Sequence, residues 1–234
     1  ARCERGKGLR PVRRRLAGGR VGWGEGRIDR MDNCEGDGDK WLRVVDYKSG
    51  GTTLEPSRMY GGLQMQLLLY LAAALTAHPE IMAAGAFYSR FDDPYVETDS
   101  RDVETIESLI AEKLRLKGIM LSDVRIVRAM DNEKLITKAG TVSKKTDILT
   151  TDEMDALMAH AWQMASQMAD GIASGEIAAR PAQLEHWRAC AWCDYHSVCG
   201  FDPALEGYAP RTIQKLTKKE MMQKLGVAPE LEEE

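Results

Sequence analysis

The first chemical signal is a triplet. Asp46-Tyr47-Lys48 places a carboxylate and an amine at i and i+2, which on a strand face the same way, about 6.6 Å apart along it. Upstream, Gly26-Arg27-Ile28-Asp29 offers a second carboxylate. If the two segments pair as strands, Asp29 approaches Asp46. Two facing carboxylates repel unless a cation lies between them. Mg²⁺ takes oxygen ligands and keeps several waters; it can polarise a phosphodiester and ease deprotonation of a bound water. Lys48 then stands where it can steady the negative charge of a hydroxide or phosphorane. The plainer reading is a solvated strand end with a cross-strand Arg–Asp pair. Acid-x-Lys alone is weak: 36 acidic residues in 234 positions would give about two such triplets by chance, although this is the sole one.

The elements that must hold these residues read as follows. Trp41 to Tyr47 is apolar and β-branched in its middle, a strand. Val21 to Asp32 reads as the strand before it, and Asn33 to Asp39, rich in Gly, Asn and Asp, as the turn between. Ser49-Gly50-Gly51 ends this hairpin. Tyr60 to Ala77 is an apolar helix of the kind buried against a sheet. Within it Gln66 and Tyr70 are four apart and share a face, so they must find polar partners, line a cleft, or mark a helix edge at the solvent boundary; Tyr60 and Gln64 extend that polar side. Ala83 to Tyr88 reads as a strand, 97–116 as an acidic amphipathic helix, and Val124 to Met130 as a short strand or turn. A polar loop with Thr141, Ser143, Lys144 and Lys145 follows. Thr150 to Ser174 is the clearest helix, with Thr150 and Glu153 at capping-box spacing and Gly175 where a C-terminal cap belongs. There is no internal repeat.

Three of the five cysteines, Cys190, Cys193 and Cys199, fall within ten residues. An odd count with a clustered trio is a poor disulfide framework and a good ligand set. Zinc would take the three thiolates with His186 or His196; a [4Fe–4S] cluster would need a fourth thiolate. Cys3 and Cys34 are isolated.

The runs Gly26-Arg27-Ile28-Asp29-Arg30-Met31-Asp32, Val44-Val45-Asp46-Tyr47-Lys48-Ser49 and Tyr60-Gly61-Gly62-Leu63-Gln64-Met65-Gln66-Leu67-Leu68-Leu69-Tyr70-Leu71 resemble the RecB-type nucleases of the PD-(D/E)XK superfamily, and among them the AddB-like nuclease domains of helicase–nucleases. The likeness covers about residues 20–210, with Ala84 to Tyr88 and the Leu135 to Thr151 loop included. It implies an α/β fold of restriction-endonuclease type: a mixed central sheet flanked by helices, with a C-terminal cysteine-ligated staple. It implies Asp29 and Asp46 as Mg²⁺ ligands, Lys48 as the catalytic lysine, and Gln66 and Tyr70 as the Q-x-x-x-Y pair that contacts DNA. It favours a [4Fe–4S] cluster on Cys190, Cys193 and Cys199, whose fourth cysteine, far upstream in the family, has no match here. The activity implied is Mg²⁺-dependent exonucleolytic hydrolysis of DNA in double-strand-break end resection and recombinational repair, with an AddA-like helicase as partner. A CRISPR-associated RecB-like exonuclease and a non-cleaving DNA-end-binding module of the same fold are the alternatives.

This divides the chain into a basic segment (1–16) of a truncated domain, a nuclease core with a helical insertion (17–180), a cysteine segment (181–210) and a charged tail (211–234). The net charge of −4 hides a gradient, for residues 1–30 carry +7. A basic segment fits a polyanionic partner or a solvated arm. No run of 18 apolar residues argues for a membrane span, and no apolar stretch follows the N-terminus. The expected location is the cytoplasm. With no initiating Met, the chain reads as a piece of a longer protein.

Overall fold

Strong β-formers on alternating faces build the centre of the molecule. The computed structural model describes residues 12–15, 19, 21–36, 38–91, 93–130, 133–143, 145 and 147–228, with side chains at 12–15, 23 and 133 excepted. Cys3, Lys144 and most of the basic segment lie outside the described residues. In chain order the elements are β1 (Val12–Arg15), β2 (Val21–Gly24), β3 (Arg30–Gly36), β4 (Asp39–Lys48), α1 (Pro56–Tyr60), α2 (Gln66–Ala77), β5 (Met82–Arg90), α3 (Val103–Leu114), β6 (Lys117–Leu121), α4 (Val124–Ala129), β7 (Ile148–Leu149), α5 (Thr151–Ala173), β8 (Ala182–Leu184), β9 (Trp187–Arg188), α6 (His196–Cys199), β10 (Arg211–Thr212) and α7 (Lys218–Lys224).

The main sheet has the order β3-β4-β5-β6-β7. It is mixed: β3–β4 and β5–β6 are antiparallel, β4–β5 and β6–β7 parallel. Helices cover both faces, so the expected α/β class and mixed, helix-flanked sheet are observed. β4 shows why, because its successive side chains alternate between faces. Leu42 and Val44 enter one core with Leu67, Leu68 and Leu71 of α2, Met154 and Leu157 of α5, and Met221 and Met222 of α7. Trp41 and Val45 enter the other, with Phe87, Met120, Ile126 and Val127. From the charged stretch beyond residue 210, Leu216, Met221 and Met222 also enter the first core.

Several elements differ from the expected ones. The strand before β4 is β3 alone; β2 pairs instead with β1 in a separate hairpin. Asn33, Cys34 and Glu35 are strand, paired with Leu42, Trp41 and Lys40, and the reversal falls between Gly36 and Asp39 with Gly38 at φ +85°. Burial of the face shared with Trp41 outweighs the turn propensity of those residues. The apolar helix is broken into α1 and α2 at Gly61-Gly62. Gly62 sits at φ +74°, and a side chain on Gly61 would meet Ile213 at 2.8 Å. Val124 to Ala129 is a helix, not a strand or turn, capped by Asp123, whose carboxylate accepts the Arg125 N–H at 2.8 Å. The expected capping box at Thr150 and Glu153 is formed in full.

β5 and β6 approach so closely that neither tolerates a side chain at two points. A Cβ on Gly118 would collide with the Ala86 carbonyl, and one on Gly85 with the Ile119 carbonyl. Gly118→Ala should therefore force the ladder apart and cost about 1–3 kcal/mol, as overpacking does. Urea unfolding of parent and variant measures it, and an unchanged midpoint would refute the close approach.

Candidate active site

The site forms where the β3–β4 ladder stops. The last pair is Arg30 with Val45, so the end of β4 runs on without β3 beside it. Asp29, in the bend just before β3, closes the gap: its Oδ2 accepts the Tyr47 N–H at 3.1 Å. Asp29 thus belongs to the connection preceding β3, not to the strand expected for it, and its position is set by a hydrogen bond to the neighbour of both Asp46 and Lys48.

Asp46 is 4% exposed. Lys48 Nζ lies 2.7 Å from its Oδ2, and this contact, opposed by partial burial, raises the lysine above its ordinary pKa. The ammonium approaches outside the angular range of a well-formed hydrogen bond, so Asp46 Oδ2 is buried with a charge partner but no aligned donor. Lys48 also donates to Gln66 Oε1 at 3.0 Å, and Gln66 Nε2 donates to the Tyr70 hydroxyl at 3.2 Å. Position i and i+4 on α2 makes that last bond possible. Tyr70 in turn lies against Gly26, where a Cβ would come within 3.1 Å of its ring. The structure therefore joins Asp46, Lys48, Gln66 and Tyr70 in one chain of contacts, with Asp29 tied to it through Tyr47.

Two supporting residues take roles that the sequence did not assign. Tyr88 pairs with Asp46 across β4–β5, and Lys48 Nζ lies 5.6 Å from the centre of its ring. Burial first, and Asp46 next to it, hold the Tyr88 hydroxyl above its usual pKa against the pull of Lys48. Gln64 is the other. It accepts the Glu55 N–H at 2.8 Å and donates to the Thr53 carbonyl at 2.7 Å, which ties the loop after β4 to the segment leading into α2. Only tertiary structure reveals either role.

The Arg–Asp pair of the plainer reading also exists, at a different aspartate. Asp32, 6% exposed, accepts Arg30 Nε on Oδ1 and Arg43 Nε on Oδ2, both at 2.8 Å. Burial opposes its ionisation, but the two guanidinium contacts outweigh that and hold its pKa below the ordinary range. Both of its oxygens have donors.

The cysteine segment does not form the expected staple. Cys190 is half-buried, Cys193 and Cys199 are exposed, and all three are free. Among the described residues no group of three or more His, Cys, Asp or Glu gathers as a metal site. The three thiols sit on two short turns: the Cys193 N–H closes onto the Cys190 carbonyl, and the Cys199 N–H onto that of Tyr195. His186 and His196 are exposed. The [4Fe–4S] expectation, like zinc, thus has no support in this geometry. The segment is fastened by the β10-β8-β9 sheet and by Arg211, which donates to the Gly61 carbonyl at 2.9 Å. No helix among the described residues is long and apolar enough to cross a membrane.

A mixed sheet with an acid-x-Lys at the end of a central strand, a preceding aspartate and a Gln-x-x-x-Tyr on the packed helix defines a nuclease class, and the family model of the PD-(D/E)XK nuclease superfamily matches residues 3–200. The chain belongs to that superfamily. More particularly, it is similar to AddB proteins, each named as one of the subunits of an ATP-dependent helicase/deoxyribonuclease. The one from Alkaliphilus metalliredigens is 32% identical over 92% of this chain and 20% of its own length. That from Thermoanaerobacter sp. is 35% identical over 84% and 18%, and that from Moorella thermoacetica 34% over 91% and 20%. The chain spans about a fifth of the length of these relatives.

Asp32 generates a prediction with a definite sign. Its pKa is depressed in the folded state, so its contribution is present above the unfolded value, near 3.9, and is lost as pH falls through the folded one. Asp32→Ala should cost about 3 kcal/mol at neutral pH, because it strands two part-buried guanidinium groups. Thermal melts of parent and variant should converge as pH falls below about 4; a gap that stays constant into acid would show that the ionised pair is not its source.

Proposed function

We propose that this chain is a Mg²⁺-dependent exodeoxyribonuclease that hydrolyses DNA phosphodiesters as part of a larger helicase–nuclease. An AddA-like helicase would be its partner, and double-strand-break end resection and recombinational repair its setting. The observation that carries the reading is the continuous chain Asp46–Lys48–Gln66–Tyr70 with Asp29 tied to Tyr47. Membership of the superfamily and the names of the relatives support it.

The donor set fits a hard cation. Asp46 Oδ2 is a buried anionic oxygen without an aligned donor, and Asp29 spends one lone pair on the Tyr47 N–H and keeps others. Mg²⁺ needs only one or two carboxylates, water completing its shell, so Asp29 and Asp46 would hold it. Bound there, the ion would polarise the phosphodiester and ease deprotonation of water.

The protein's own side chains do the rest. Lys48 stands beside Asp46 and donates to Gln66. Its ammonium would stabilise the charge of the pentavalent phosphate. Gln66 fixes the direction of that ammonium, and Tyr70 fixes Gln66, so the donor is in place before charge develops. Gln66 and Tyr70 also present polar groups to a DNA strand lying over the N-terminal end of α2. The Asp29 carboxylate and the Tyr47 amide hold the two carboxylate-bearing segments in register.

The test is cleavage of linear and circular DNA by the parent and its variants, with Mg²⁺ or with a chelator. The parent should shorten linear DNA with Mg²⁺ and leave it intact with chelator. Asp46→Ala and Lys48→Ala should each lose about 10²–10³-fold or more of the rate, with native circular dichroism. Gln66→Ala and Tyr70→Phe should lose less rate, and more rate than stability. Parent-like cutting by Asp46→Ala or Lys48→Ala would remove this strand end as the active site; DNA binding by the parent without cutting would favour the end-binding module.

A further inference from the structure

Resting on the nuclease reading, we propose that Tyr47 and Phe91 form a stacking platform for unpaired nucleobases of the DNA strand being cut. Tyr47 lies between Asp46 and Lys48, and on a strand its side chain faces away from theirs. It therefore sits round the tip of β4 from the carboxylate and ammonium, one residue from each. Phe91 is placed beside it by the backbone. The β4–β5 ladder ends with Tyr47 opposite Ser89 and Lys48 opposite Arg90, and the Phe91 N–H then donates to the Lys48 carbonyl at 3.0 Å.

The two rings meet edge to face, with centres 6.1 Å apart and planes at 68°. Tyr47 is 41% exposed and Phe91 79%. Single exposed aromatics are ordinary on protein surfaces. Two in contact, fixed by the same strand ends that carry the proposed chemistry, are a built surface.

The occupant follows from chemistry and place. A flat exposed ring adds affinity for a nucleobase through its π-face, whatever the base. Bases in a duplex already stack on one another and do not present that face. A strand bending over the end of β4 would lay its phosphate at Asp46 and Lys48 and a neighbouring base on Phe91. The platform would make the site selective for unpaired ends without reading sequence.

The experiment measures binding by fluorescence anisotropy, in chelator, to a dT oligonucleotide of about 16 nucleotides, to an abasic oligonucleotide of the same length, and to a blunt duplex. Phe91→Ala and Tyr47→Ala should each weaken dT binding about tenfold and leave abasic and duplex binding at the parent level. The slope of log affinity against log salt should be unchanged, because no phosphate contact is removed. Phe91→Trp should restore dT affinity, which distinguishes a stacking surface from a folding defect. Equal weakening on dT and abasic strands, or parent-like dT binding by both alanine variants, overturns the platform. If the parent itself cuts DNA, that failure leaves the nuclease reading standing; if the parent neither binds nor cuts any DNA, both fall.

Discussion

The constraint on which the structure depends is the burial of Asp46 at the end of a strand whose Trp41, Leu42, Val44 and Val45 are packed in two hydrophobic cores. A carboxylate with that little exposure costs several kcal/mol unless a positive charge compensates it. β4 supplies the charge two residues on, because Lys48 shares its face and reaches back to 2.7 Å. Everything nearby then has to accommodate an ammonium. Gln66 turns its carbonyl oxygen towards it, the Tyr88 ring lies alongside, and α2 must dock so that its first turn meets the strand end. The break at Gly61-Gly62 serves this docking, since it lets α1 pack by α7 while α2 starts afresh at Gln66.

Asp32 and Asp46 are both buried aspartates on the same hairpin, facing opposite cores, and they show how a structural carboxylate differs from an available one. Asp32 has a guanidinium on each oxygen, and those bonds lower its pKa against the cost of burial. Its hydrogen-bonding capacity is largely filled, so the pair fixes register between β3 and β4. Asp46 is held by a contact that balances charge without an aligned donor. Native proteins leave few buried polar atoms in that condition, and those they leave call for an explanation. Local conflict of this kind concentrates where function demands it. The same sequence run, from Asp29 to Lys48, thus contains a closed electrostatic unit and an open one, separated by the pleat of the strand.

The legible parts of this fold were those encoded over short distances. β4 declared itself by a β-branched run, α5 by its capping box, and the Gln66–Tyr70 pair by helical spacing. The acid-x-Lys triplet was legible in type and in the direction its side chains face. The illegible parts depend on partners distant in the chain. Asn33 to Glu35 carry turn-forming residues and still extend β3, because cross-strand pairing with a half-buried face outweighs local preference. β6 and β7 are too short to show a period and exist through their ladders. α4 lacks an amphipathic repeat long enough to recognise, although Asp123 at its cap was a usable signal. The cysteine spacing suggested a ligand set, yet spacing constrains only the reach of the chain, and each thiol follows the backbone turn on which it sits.

Asp29 shows how the end of a sheet becomes a site. A strand running past its neighbour leaves an N–H without a ladder partner, and such a group must be satisfied by water or a side chain. Here the ladder stops at Arg30 and Val45, and the carboxylate one residue before β3 takes up the Tyr47 N–H. The bond is exposed and worth only about 1 kcal/mol, so it would stabilise little by itself. Its effect is positional: it brings a second carboxylate to the level of Asp46 without burying a second charge. A longer β3 would have replaced that carboxylate with a backbone carbonyl and left one buried acid facing one lysine. The early end of the edge strand therefore gives the Asp29 carboxylate its place at the Tyr47 amide, which a continued ladder would have taken.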